Sequence, residues 1–83
     1  MKDLMEETIS NFLESADQEL TLPFNSVMHY KDILTNLGYT EVGFETNGWQ
    51  VDFWLSMEKD KKKVFLSGCL YYGGQFYLGK KDE

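Results

Sequence analysis

The chain has 83 residues, 42% of them apolar and 16% aromatic, enough for one small domain and too few for two. Fourteen acids stand against eight bases, all of them Lys, and the net charge is −6. That balance argues against direct nucleic-acid binding, which needs clustered bases to neutralise phosphate, and against docking on an anionic membrane surface.

The first half reads as helix. Asp3 and Glu6 have the three-residue spacing of a capping box. Met5, Ile9, Phe12, Leu13, Ala16 and Leu20 recur at steps of three and four, which predicts a helix over 4–20 with one apolar stripe. Glu6, Glu7, Glu14 and Asp17 fall on its other faces. Residues 1–20 hold one Lys against six acids, so five of the six net negative charges lie there. Thr21 to Ser26 interrupts the pattern with the only proline, Pro23, and Asn25 or Ser26 can cap a second helix over 25–37. Its stripe is Val27, Tyr30, Ile33, Leu34 and Leu37. Gly38 stands where a left-handed residue ends a helix, with Tyr39 able to fold back onto Leu34.

The second half reads as strands over 40–46, 49–57, 63–72 and 75–80. Trp49, Val51, Phe53, Leu55 and Met57 alternate with polar residues and Trp54, the period of a half-buried strand. A two-residue turn at Asn47-Gly48 would pair Phe44 with Val51 and Val42 with Phe53. The Lys-rich stretch 58–63 forms the next turn, and an even loop there sets Leu55 opposite Leu66 and Val51 opposite Leu70. A hairpin at Gly73-Gly74 then places Tyr71 opposite Phe76 and Cys69 opposite Leu78. The expected fold is a single α+β domain over 1–83, two N-terminal helices packed on a four-stranded antiparallel meander, α-α-β-β-β-β.

In that register the side of the sheet away from the helices carries Trp54, Phe65, Tyr71, Phe76 and Leu78, where an antiparallel sheet normally shows polar residues to water. A one-residue change in the loop between the second and third strands would exchange the two sets of side chains while leaving an apolar surplus. Three arrangements account for the surplus: a helix on each side of the sheet, a homodimer or sheet extension, or a different protein bound to the face.

Groups for catalysis are sparse. His29 is the only histidine, with Asp32 one helical turn away, and no nucleophile signature accompanies them. Cys69 with one distant imidazole cannot assemble a zinc site, so no metal is expected. Glu45 and Asp52 fall diagonally across the first hairpin, and they read as solvated acids because a hairpin surface offers no sugar-binding cleft. Gly68, Gly73 and Gly74 lack the Gly-Lys-Ser/Thr ending of a phosphate loop. No catalytic residue and no cofactor is expected. With no apolar run of roughly 20 residues, no secretory leader pattern and a lone cysteine, the expected location is the cytoplasm.

The reading is therefore a small acidic protein-interaction module that is not an enzyme. It binds a partner through Trp54, Phe65, Tyr71, Phe76 and Leu78, and Glu6, Glu7, Glu14 and Asp17 form an acidic electrostatic face. One specific form is an inhibitor of a nucleic-acid-handling enzyme, of the kind viruses and mobile elements encode, whose carboxylates occupy a basic channel. The alternative is a structural homodimer or accessory subunit with no separate ligand. A third reading, an enzyme using His29, has the least support.

Overall fold

A helix α1 (Leu4–Glu14) is followed by a short strand β1 (Glu19–Pro23), a second helix α2 (Val27–Asn36) and four further strands, β2 (Thr40–Thr46), β3 (Asp52–Lys59), β4 (Lys62–Cys69) and β5 (Gln75–Asp82). The computed structural model describes residues 4–46, 52–69 and 75–82. The strands form one antiparallel sheet in the order β1-β5-β4-β3-β2. The chain belongs to the α+β class, but the four-stranded meander is corrected to five strands. β2 to β5 lie side by side in chain order, and β1 adds a fifth strand beside β5. Because β1 and β2 lie at opposite edges, α2 crosses the sheet between them.

The added strand straddles the expected end of the first helix and the connection after it, and α1 ends at Glu14 and not at residue 20. Ser15 closes α1: its N–H and its Oγ both donate to the Phe12 carbonyl, at 3.0 and 2.7 Å, and the Asp17 N–H donates to Ser15 Oγ at 3.2 Å. Lys80 of β5 then donates through Nζ to the carbonyls of Phe12 (2.6 Å) and Ser15, and lies 4.6 Å from the centre of the Phe12 ring. A cation at the negative end of a helix satisfies carbonyls that have no partner within the helix. Beyond it Leu20 and Leu22 turn inward while Glu19, Thr21 and Pro23 are exposed, a period of two. Pro23, which cannot donate to a ladder, stands at a sheet edge as strand prolines do. The proposed capping box includes Asp3, which lies outside the described residues.

The second helix follows its sequence signals closely. Ser26 is the N-cap, its Oγ accepting from the His29 N–H at 3.1 Å. Gly38 has φ +100°, and the N–H groups of Gly38 and Tyr39 donate to Thr35 and Leu34 at 3.0 Å each, the paired bonds of a Schellman closure. Lys59 of β3 adds a bond from Nζ to the Leu37 carbonyl at 3.2 Å.

Three registers decide which side chains face the helices. Phe44 pairs with Leu55 and Thr46 with Phe53, so the expected Phe44–Val51 and Val42–Phe53 pairs are displaced by four residues. An even displacement keeps every side chain on its face. A bulge between Glu41 and Gly43 leaves Val42 without a partner across the ladder. Leu55 pairs with Leu66 as expected, across a tight turn in which Asp60 has φ 56°. In the last hairpin Leu66 pairs with Leu78, where Cys69 had been expected. That displacement is odd, and it turns β5 over. The Asn47-Gly48 and Gly73-Gly74 turns, with Trp49, Val51, Leu70, Tyr71 and Tyr72, lie outside the described residues.

One apolar core lies between the helices and the sheet. Ile9 and Phe12 of α1 and Tyr30, Ile33 and Leu34 of α2 meet Leu22, Phe53, Leu55, Met57, Val64, Leu66, Phe76 and Leu78. Gly68 makes room for the Phe76 ring, since a Cβ there would sit 2.6 Å from its nearest atom. The ring also meets the edges or tilted faces of Phe24, Tyr30 and Phe53 at 5.0–5.6 Å between centres. Tyr30 is fully buried and donates its hydroxyl to the Pro23 carbonyl at 2.5 Å, tying α2 to the end of β1.

Candidate functional site

The face of the sheet turned away from the helices is built from the other parity of each strand. Register places Thr21, Tyr77, Ser67, Trp54 and Glu45 in one row across the five strands, and Glu19, Gly79, Phe65, Ser56 and Gly43 in the next. Trp54, Phe65 and Tyr77 are 47%, 40% and 41% exposed. They rise above a floor of small residues, Ser56, Ser67 and Gly79, and no element among the described residues covers them. Polar and charged groups border the trio. Glu45 pairs with Trp54, Asp52 lies diagonally from Glu45 past Trp54, and Lys63, Lys81 and Glu58 form the next row along the strands.

Of the five residues expected to bind a partner, Trp54 and Phe65 stand on this face. Phe76 and Leu78 do not: they are 1% and 0% exposed, in the core beneath the helices. The physical cause is the odd displacement of the last hairpin. Tyr71 lies outside the described residues. Tyr77 takes the place of Phe76 and was missed, although its chemistry pointed outward: a phenol is suited to a half-wet site, whereas Phe76 and Leu78 have no polar atom to leave in water.

The acidic residues are not a single surface. Glu7 and Glu14 are exposed on α1, seven residues apart and so on nearly one side of the helix. Glu6 is half-buried a hundred degrees around, and Asp17 follows the helix in the connection to β1. More importantly, α1 packs on the opposite side of the sheet from the aromatic trio. The molecule is 21 Å across its shortest axis, more than twice the roughly 8 Å Debye length at physiological salt. The carboxylates beside the trio belong to its own face: Glu45 and Asp52, the pair that the sequence reads as solvated, with Glu58 diagonal to Phe65 and Glu19 diagonal to Tyr77.

A shallow depression of about 330 Å³ opens on the outer face, lined by Trp54, Tyr77, Ser67, Cys69, Gln75 and Asp52. A second, of about 250 Å³, lies on the helix side between Glu14, Tyr39, Lys59 and Lys62. There Lys59 already engages the end of α2. His29 is half-buried, with its ring meeting the Tyr30 ring at 5.2 Å, and among the described residues no ion pair joins it to Asp32. No three His, Cys, Asp or Glu side chains come together as a metal site among the described residues. No described helix is long and apolar enough to cross a membrane.

The sheet edges bear on how a partner could approach. At one edge β1 is five residues long and ends in Pro23; at the other β2 carries a bulge and the acids Glu41 and Glu45. Glu41 is held by Lys31 of α2 at 2.5 Å. Short, bulged, charged or proline-ended strands resist pairing with another sheet. No protein-family model, curated protein or solved structure matches the chain.

Proposed function

We propose that this chain is a non-catalytic protein-binding module that docks a partner on the outer face of its sheet, centred on Trp54, Phe65 and Tyr77. The observation that carries the reading is the exposure of three aromatic side chains in adjacent rows of one sheet face, above the small residues Ser56, Ser67 and Gly79. Isolated exposed apolar residues are ordinary on a monomer, but a cluster rimmed by polar groups marks an interaction surface. Trp and Tyr are enriched at the centres of protein interfaces because each combines a large apolar area with a hydrogen-bonding end. A cytoplasmic setting fits the lone Cys69. The face reading absorbs the inhibitor hypothesis only in an altered form: the carboxylates that would meet a basic enzyme surface are those of the outer face, Asp52 and Glu45 among them, not those of α1.

The edges described above favour face docking over sheet extension as the mode of association. A homodimer through the same face would bring Asp52, Glu45 and Glu19 of two copies together, with a net charge of −6 on each. The test is site-specific photocrosslinking in the native host, with the crosslinker at Ser67 on the outer face and, as a control, at Thr35 on the exposed side of α2. A partner crosslinked from Ser67 and lost when Phe65 is replaced by Ser supports the reading. Equal crosslinking from both positions, or capture unaffected by Phe65→Ser, refutes it.

A further inference from the structure

Resting on that docking reading, we infer that the depression between Trp54 and Tyr77 is a socket for one cationic side chain, Arg or Lys, of the partner protein. Trp54 and Tyr77 stand on strands two apart, with Ser67 between them on β4. Strand spacing puts their backbones about 10 Å from each other. That leaves a slot with an aromatic wall on each side and a small hydroxyl on its floor. Aromatic faces attract a cation through their quadrupole, and more strongly when the cation is partly desolvated between two of them.

The slot is polarised at one end. Asp52 is the only carboxylate among the residues lining it, and it is half-buried. It has no ion-pair partner among the described residues. Glu45 lies diagonally from Asp52 and directly across from Trp54. The lysines of the outer face, Lys63 and Lys81, are four residues along their strands from Ser67 and Tyr77, a distance of about 13 Å. Among the described residues no lysine of the face therefore neutralises Asp52, and the chain contains no Arg that could occupy the slot. An anionic or purely aliphatic group would leave the Asp52 charge desolvated and unpaired, whereas a guanidinium or ammonium pairs with the carboxylate while its stem lies along the rings. A second copy of this chain is the poorer occupant. It would bring a net charge of −6 against the acids of this face, and it holds no Arg.

The test is an NMR titration of the full chain with three capped probes: N-acetyl-arginine amide, N-acetyl-lysine amide and the neutral isostere N-acetyl-citrulline amide, each up to its solubility limit. The first two should shift the Trp54 indole N–H and the Ser67 and Tyr77 amides, and citrulline should not. Asp52→Asn should weaken the arginine response about tenfold, as expected for losing one charge-assisted contact, and added salt should weaken it further. No response to either cation, an equal response to citrulline, or a response indifferent to Asp52→Asn overturns the socket. Shifts of the same signals on concentrating the protein alone would assign the face to a second copy and likewise overturn it. The docking reading has its own readout: loss of Ser67 crosslinking in Phe65→Ser with no cation response would retire the socket and keep the face. A cation response with crosslinking unaffected by Phe65→Ser would retire the face.

Discussion

The two sides of β5 show how one strand serves two purposes. Phe76, Leu78 and Lys80 face the helices, where they fill the core and close α1; Gln75, Tyr77, Gly79 and Lys81 face away. The inner set is fixed by contacts from every direction, while Tyr77 is fixed only by its strand and its row. Burial makes the inner residues costly to change and the outer ones cheap, so stability and binding should separate cleanly between them.

The largest test of that separation is Leu78→Ala, which leaves a cavity under both helices and should cost about 3 kcal/mol in chemical denaturation. A loss below about 1 kcal/mol would show that Leu78 is not where the register puts it. Next comes Gly68→Ala. Its methyl would meet the rigid Phe76 ring, held by three other rings, and overpacking of this kind costs about 1–3 kcal/mol. Lys80→Ala should cost about 1–2 kcal/mol through unsatisfied carbonyls, with the last turn of α1 exchanging its amides faster than α2 does. Unchanged exchange at residues 10–14 would mean that Ser15 alone ends the helix.

Smaller still is a pH effect on the inner side. Burial pushes the Tyr30 phenol above its usual 10.0, so the unfolded chain ionises first. Stability from this source is complete below pH about 10 and falls as the pH rises toward the folded value; Tyr30→Phe should flatten that part of the profile at the cost of its bond to Pro23. Smallest is Trp54→Thr on the outer side, expected to leave stability within about 0.5 kcal/mol while abolishing binding of the arginine probe. A large loss of stability there would remove the distinction between the two faces.

How much was legible in the sequence depends on how local each signal was. The signals that place α2 in the sequence lie within a few residues of it, the Ser26 cap, Gly38 and Tyr39 folding back, and the Lys59 bond to Leu37 from 22 residues away only adds to them. That helix was placed to within two residues at its start and one at its end. The end of α1 is reinforced by Lys80, 65 residues beyond Ser15, and the apolar spacing of Ala16 and Leu20 continued the stripe past the true stop. Leu20-Thr21-Leu22 before Pro23 was a strand signal, but three residues of alternation did not outweigh four turns of helical period. On the outer face, the position of Trp54 followed from strand alternation and that of Phe65 from the even loop at 58–63 as well. A two-residue turn at the glycine pair would put Phe76 and Leu78 on the outer face, but the parity of a hairpin is set by its loop length and the shape of the core together.

The union of Glu19–Pro23 with Gln75–Gly79 joins positions 52 to 60 residues apart. During synthesis, the emerging chain cannot complete its sheet, seat Leu20 and Leu22, or anchor the tail of α1 before β5 has been translated. Assembly is thereby biased toward a late, concerted step, as expected when distant segments must find each other before either is rewarded. The same feature makes the C-terminal strand a vulnerable point for quality control: a ribosome that stalls before Gln75 releases a species with an open edge on β4 and an uncovered greasy groove, the kind of intermediate that chaperones and proteases engage.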